Sequence, residues 1–154
     1  MNSALAQSIA GLSSRWRSRF SRWRTSSKSG HLRRGARGET LACRYLRRSG
    51  YKVLFRNFRG RSGGEIDVVC RDNDTLVFIE VKTRGREDFG RPVEAVDREK
   101  QKRISRGALA WLRMLDNPDI LFRFDVVEVI TADDAKPRVE LIKNAFPLSK
   151  PYLY

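Results

Sequence analysis

Hydrophobic and polar positions follow two rhythms along this chain. From Gly35 to Gly50 (GARGETLACRYLRRSG), Ala42, Tyr45 and Leu46 return at helical spacing, with arginines mostly on the other side. That predicts an amphipathic helix stopped by Gly50, because glycine adopts the left-handed conformation that closes a helix without a steric penalty. Tyr51 to Asn57 (YKVLFRN) then reads as a strand, and Gly60 to Gly64 (GRSGG) as a flexible turn carrying Arg61. Glu65 to Arg71 and Thr75 to Thr83 read as two further strands, separated by the turn signal Asp72-Asn73-Asp74. So short a connection predicts that they are antiparallel. Arg84 to Pro92 (RGREDFGRP) is a polar loop. Asp97 can cap a helix reaching about Leu115, with Ile104, Ala108, Trp111, Leu112 and Leu115 as its buried stripe. Asn117-Pro118-Asp119 ends it. Phe122 to Ile130 is another strand, and Arg138 to Ile142 a shorter one expected at a sheet edge. Helix, three strands, helix and two strands predict an α/β or α+β sandwich around a mixed sheet.

The first 34 residues break this pattern and are expected to form a basic arm, with one domain in 35–154. Leu5, Ile9, Leu12, Trp16, Phe20 and Trp23 recur at spacings of three and four, an apolar helical stripe set among arginines. Three readings stay open: an arm that folds on nucleic acid, a surface helix on anionic membrane, or an extension without a function of its own. A start so rich in Arg and Ser and poor in acids also resembles an organellar transit peptide.

Charge sharpens the picture. The 154 residues carry a formal net charge of +14, which favours a polyanionic partner. Nine of the 32 basic residues and none of the 18 acids lie in residues 1–38, leaving 23 against 18 for the rest. Most of the excess thus sits near the N-terminus. Cys43 and Cys70 form no CxxC pair or disulfide framework and read as buried reduced thiols of a cytoplasmic protein. The single histidine, His31, lies in the arm, which argues against a histidine-based zinc site or a Ser-His-Asp triad. Chemistry must therefore rest on carboxylates, lysine and arginine. No apolar run reaches the ~20 residues needed to span a bilayer, and no signal peptide is evident.

The stretch GGEIDVVCRDNDTLVFIEVKTR is where such chemistry can gather. Strand side chains alternate between faces, so Glu80 and Lys82 share one face, and Glu65, Asp67 and Val69 share another. Pairing through the Asp-Asn-Asp turn lets Asp67 approach Glu80, with the Val81 carbonyl at the same height. Two carboxylates and a carbonyl are hard oxygen ligands suited to Mg²⁺ or Mn²⁺. Lys82 could stabilise charge on a phosphate and orient the attacking water. Spacing alone does not separate this from a solvated hairpin face with alternating charges.

A wider set of residues does. Gly35-x-x-Gly38-Glu39-x-x-Ala42-x-x-Tyr45-Leu46, Gly50-Tyr51, Asn57-x-Arg59, Gly64-Glu65-Ile66-Asp67, the run Leu76 to Arg84, Phe89-Gly90-x-Pro92, Glu94-Ala95-Val96, Lys100, Arg103, Phe124-Asp125-Val126-Val127 and Ile142-x-Asn144-Ala145-Phe146 resemble the bacterial YraN family. The likeness covers about Gly35 to Phe146. That family is usually described as predicted endonucleases, similar in fold to archaeal Holliday-junction resolvases of the PD-(D/E)xK superfamily.

The resemblance implies an α/β, restriction-endonuclease-like mixed β-sheet flanked by helices. It implies a metal-dependent endonuclease acting on nucleic acid, DNA first and branched DNA among the candidates, with a homodimer expected by analogy. Asp67 and Glu80 match the metal carboxylates, Lys82 the catalytic lysine, and Glu39 the helix glutamate that completes the acidic site. Glu39 has a second reading, as an acid placed near a helix N-terminus. Glu65 keeps an open role. Arg59, Arg61, Arg84, Arg86, Lys100 and Arg103 are candidate phosphate contacts, Arg84 first because it lies two residues from Lys82. Asp125 could also support the active site, but reads most simply as a charge on an edge strand. The alternative function is a non-catalytic nucleic-acid-binding protein that keeps the nuclease fold.

Overall fold

The computed structural model describes residues 31–61, 63–85, 96–131 and 136–152. The stripe between Leu5 and Trp23, the loop residues 86–92 and the candidate contact Arg86 lie outside them. Seven elements follow in order: α1 (His31–Arg48), β1 (Lys52–Arg59), β2 (Glu65–Asp72), β3 (Thr75–Arg84), α2 (Arg98–Met114), β4 (Phe122–Ile130) and β5 (Arg138–Phe146). All are the expected elements. α1 begins four residues before Gly35, within the stretch read as the arm, and β5 runs four residues past Ile142. No described helix is long and apolar enough to cross a membrane.

The five strands lie in sequence order in one mixed sheet. Neighbours are antiparallel except β3 and β4, which are parallel and joined through α2. A parallel pair needs such a crossover, because a tight turn can only reverse the chain. Each face carries one helix and one core. Under α2, Trp111, Phe58, Phe78, Phe124 and Phe146 pack with Ile104 and Leu112. The Phe58 and Trp111 rings meet edge to face with centroids 5.0 Å apart, an arrangement that suits their quadrupoles. Under α1, Ala42, Cys43 and Leu46 cover Val68, Cys70, Val77, Ile79, Val127 and Val129. Both cysteines are buried and free, as expected.

Two glycines let the helices sit close to the sheet. A Cβ on Gly38 would overlap the Thr83 side chain, and one on Gly64 would run into the backbone of Arg106 and Gly107. α1 is thus held near the end of β3, and α2 against the start of β2. The N-terminus of α2 is capped as expected: Asp97 Oδ1 accepts the Lys100 N–H at 2.7 Å, relieving one unpaired donor of the first turn.

One expectation is corrected. β4 lies between β3 and β5, so Asp125 is not on an edge strand. Its carboxylate is fully buried, accepts the Arg123 Nε–H at 3.0 and 3.1 Å and accepts the Asn144 N–H at 2.8 Å. Arg123 also donates to Asp72 Oδ2 at 2.7 Å and to the Tyr51 hydroxyl at 2.9 Å. A buried charge is tolerated when paired and hydrogen-bonded in this way. The network ties β2, β4 and β5 together.

Candidate active site

The site forms where β2 and β3 separate. Their pairing runs from Asp72↔Thr75 to Val68↔Ile79 and goes no further. Strict alternation fails there. Ile66 packs in the core under α2 and Val68 in the core under α1, although an even spacing should place both on one face. The neighbouring strand bends at the same level: Asn57, between the pairs Arg56↔Val68 and Phe58↔Ile66, has φ 54°, a left-handed conformation that Asn tolerates better than most residues. Asp67 replaces the lost ladder bond. Its Oδ2 accepts the Val81 N–H at 2.8 Å, which fixes the carboxylate beside β3.

Asp67, Glu80, Glu39 and Lys100 line one cavity of about 510 Å³, together with Gly35, Val81, Thr83, Arg84, Gly85 and Thr131. The cavity is bounded on one side by α1 and on the other by the first turn of α2. Glu80 is almost fully buried, at 3% exposure. Its Oε1 lies 3.0 Å from the Lys82 ammonium. Its Oε2 lies 3.2 Å from the Lys100 ammonium yet receives no well-aligned hydrogen bond. Lys100 leans instead on Glu65, donating to Oε1 at 2.7 Å.

Burial, then the neighbouring Glu80 charge, pushes the Asp67 carboxyl up to about 7, against the opposing pull of the Val81 N–H and Lys100. Two carboxylates that are both costly to ionise side by side behave in this way. Glu65 moves the other way, lowered by its hydrogen bond from Lys100. Burial alone would lower Lys100, but Glu80, Glu65 and Asp67 together raise it.

A divalent cation with a preference for oxygen fits this pair. Asp67 and Glu80 supply hard anionic donors, Glu80 Oε2 is buried without a hydrogen-bond partner, and burial and then the Glu80 charge make ionised Asp67 costly. Among the described residues no three of His, Cys, Asp or Glu gather closely enough to hold an ion. Glu39 faces the cavity from α1 with its Oε2 held by the Asn57 side chain at 3.0 Å and 3.5 Å from Arg56.

The other expected residues are placed as follows. Lys82 touches the site through Glu80. Arg84 lines the cavity and is clamped by Glu128, Nε to Oε1 at 3.0 Å. Lys100, expected as an outer phosphate contact, stands inside the acidic cluster. Arg103 is half exposed, with its Nη1 3.8 Å from Glu65. Arg59 and Arg61 are exposed at the end of β1 and in the turn after it. Sequence reasoning missed Glu128 altogether. Its signal was available: it is the one acid in VVEVI, and parallel pairing puts it beside Lys82.

Comparison with known proteins adds relatives. A model of the uncharacterised protein family UPF0102 matches residues 38–129. A UPF0102 protein of Geobacter sulfurreducens is 50% identical over 115 residues, covering 75% of this chain and 89% of the relative. One from Geobacter metallireducens is 50% identical over 115 residues, covering 75% and 93%. One from Nocardia farcinica is 46% identical over 112 residues, covering 73% and 87%.

Proposed function

The chain belongs to the uncharacterised protein family UPF0102, also called the YraN family, and we propose that it is a divalent-metal-dependent endonuclease hydrolysing phosphodiester bonds of DNA, branched DNA included. The observation that carries this reading is the buried Asp67–Glu80 pair, with Glu80 Oε2 free of any hydrogen bond, lining a cavity that a phosphate could enter. The fold is compatible with it, as a five-stranded mixed sheet between two helices suits a restriction-endonuclease-like domain.

Hydrolysis joins a water oxygen to phosphorus and breaks one P–O ester bond, the water's proton going in net to the alcohol that leaves. Asp67 and Glu80 would hold Mg²⁺ or Mn²⁺, with Glu39 approaching from the α1 side. When bound, the cation supplies electrophilic charge beside the phosphate and makes water more acidic. The Val81 N–H keeps Asp67 oriented. The Lys82 ammonium, resting on Glu80, can offer positive charge to a phosphate oxygen as charge builds there. Arg84 is held in the cavity wall by Glu128, and Arg59, Arg61 and Arg103 lie outside it, where a nucleic-acid backbone could be followed. Homodimerisation and a cytoplasmic location belong to the same proposal.

The test is cleavage of junction, flap, linear and single-stranded DNA by the full chain with Mg²⁺ or Mn²⁺. Wild type should cut at least one of these. Asp67→Ala and Lys82→Ala should lose on the order of 100-fold or more in rate while binding survives. No cleavage of any substrate with either metal would remove the reading. One observation favours a second reading, a non-catalytic nucleic-acid-binding module: Lys100 already supplies a positive charge to Glu80. That module would bind DNA with the same affinity after either substitution and would never cut it.

A further inference from the structure

Lys100 has a position that a surface phosphate contact does not need. Its side chain is only 15% exposed, and its ammonium lies between two carboxylates, 2.7 Å from Glu65 Oε1 and 3.2 Å from Glu80 Oε2, with Asp67 near enough to act on it electrostatically. The first turn of α2 delivers it there, held by the Asp97 cap on the Lys100 N–H. The contact with Glu65 is a well-formed hydrogen bond, whereas the one with Glu80 is not aligned as one. Lys100 is thus anchored on Glu65 and only leans on Glu80.

We propose that Lys100 is a built-in counter-ion that occupies the cation's place at Glu80, and that Glu65 is the acceptor onto which it retreats when a divalent cation binds. The inference rests on the nuclease reading's metal site. Glu80 Oε2 cannot serve the ammonium and a divalent ion together, because two positive charges at one oxygen repel strongly in so enclosed a place. Glu65, 28% exposed and also within 3.8 Å of the Arg103 guanidinium, can keep the ammonium without a change in the backbone. Glu65 therefore gains a role, as the residue that makes the exchange inexpensive. Without the cation the cluster stays compensated. With it, Lys100 stands beside the phosphate site instead of being expelled into water.

Mn²⁺ binding measured by calorimetry on the full chain at pH 8 tests this without any cleavage assay. Lys100→Met should bind Mn²⁺ about tenfold more tightly than wild type, since displacement of an ion pair no longer opposes binding. Arg103→Met removes the same charge from the same neighbourhood without touching Glu80, and should change affinity by less than about twofold. Glu65→Gln should weaken binding in the wild-type chain and have far less effect in the Lys100→Met chain, because its role acts through Lys100. Circular dichroism confirms that each variant is folded. Unchanged or weaker Mn²⁺ binding by folded Lys100→Met overturns the exchange and leaves the metal site standing. Equal gains from Lys100→Met and Arg103→Met overturn it too, since the effect would then be general charge. Absence of Mn²⁺ binding in wild type and both variants removes the metal site itself and the exchange with it.

Discussion

At the scale of single residues, the site depends on how an aspartate behaves when its neighbour is a buried glutamate. The closeness of Asp67 and Glu80 was legible because they lie in one hairpin, where a period of two and a short turn bring facing positions together, whereas the roles expected of them, of Lys82 and of Glu39 came from the family resemblance and not from spacing. The place of Lys100 was not legible, as it stands 35 residues from Glu65 and reaches it only through the docking of α2. Nor was the twist at Asp67, since a strict alternation hides it. The raised Asp67 carboxyl has a consequence for stability. Its pKa in the folded chain, about 7, lies above the ordinary value of 3.8, so the folded state holds this proton more tightly than the unfolded one. The resulting contribution is complete below pH 4 and is lost as pH rises through 7. In EDTA, the melting temperature of wild type relative to Asp67→Asn should therefore fall between pH 5 and pH 8, by the equivalent of about 2–4 kcal/mol at most. Mn²⁺ should restore it at pH 8 and do little at pH 5, where the proton competes. A wild-type-to-variant difference that stays flat across this range would show that neither burial nor the Glu80 charge raises the Asp67 carboxyl.

At the scale of elements, the chain announced its seven pieces but not all of their neighbours. Apolar periodicity and turn residues located each helix and strand. The position of β4 inside the sheet was hidden because Asp125 reads as an edge charge until Arg123, Tyr51 and Asn144 are seen to satisfy it. Glycines carry the same lesson, since sequence does not tell which ones are spacers. Gly64 permits the backbone of α2 to lie against the start of β2, while Gly35, within α1, has nothing within 4 Å of where a Cβ would stand. Alanine at the two sites should therefore act in opposite directions. Gly64→Ala should cost about 2–4 kcal/mol, because backbone on both sides must give and α2 carries Lys100 into the site. Gly35→Ala should stabilise by up to about 1 kcal/mol through helix propensity. Urea unfolding of the two variants checks both signs, and a Gly64→Ala chain as stable as wild type would mean that the helix and sheet are not held as closely as described.

At the scale of the molecule, charge is arranged by depth. The acids of the site are buried or half-buried, whereas cations stand outward on both helices: Arg37, Arg44, Arg47 and Arg48 on α1, Arg98, Lys102 and Arg103 on α2, with Arg61 in the turn between β1 and β2. On the proposed reading, a polyanion would meet these outward cations, with the exposed acids Asp97 and Glu99 among them at the start of α2, before it reached the carboxylates of the cavity. That ordering separates binding from chemistry in a measurable way. Affinity for a duplex of about 30 base pairs should fall linearly with the logarithm of salt concentration. Arg61→Ala and Arg103→Ala should each weaken binding at all sequences tested and reduce that slope by about 1, as expected for loss of one phosphate contact. Asp67→Ala should leave the slope as it is, because its charge is met after the backbone has been captured. Fluorescence anisotropy titrations at several salt concentrations give all three slopes. If the two arginine variants keep the wild-type slope, no nucleic-acid backbone runs past α2 and the turn after β1, and the reading of Arg61 and Arg103 as phosphate contacts is lost.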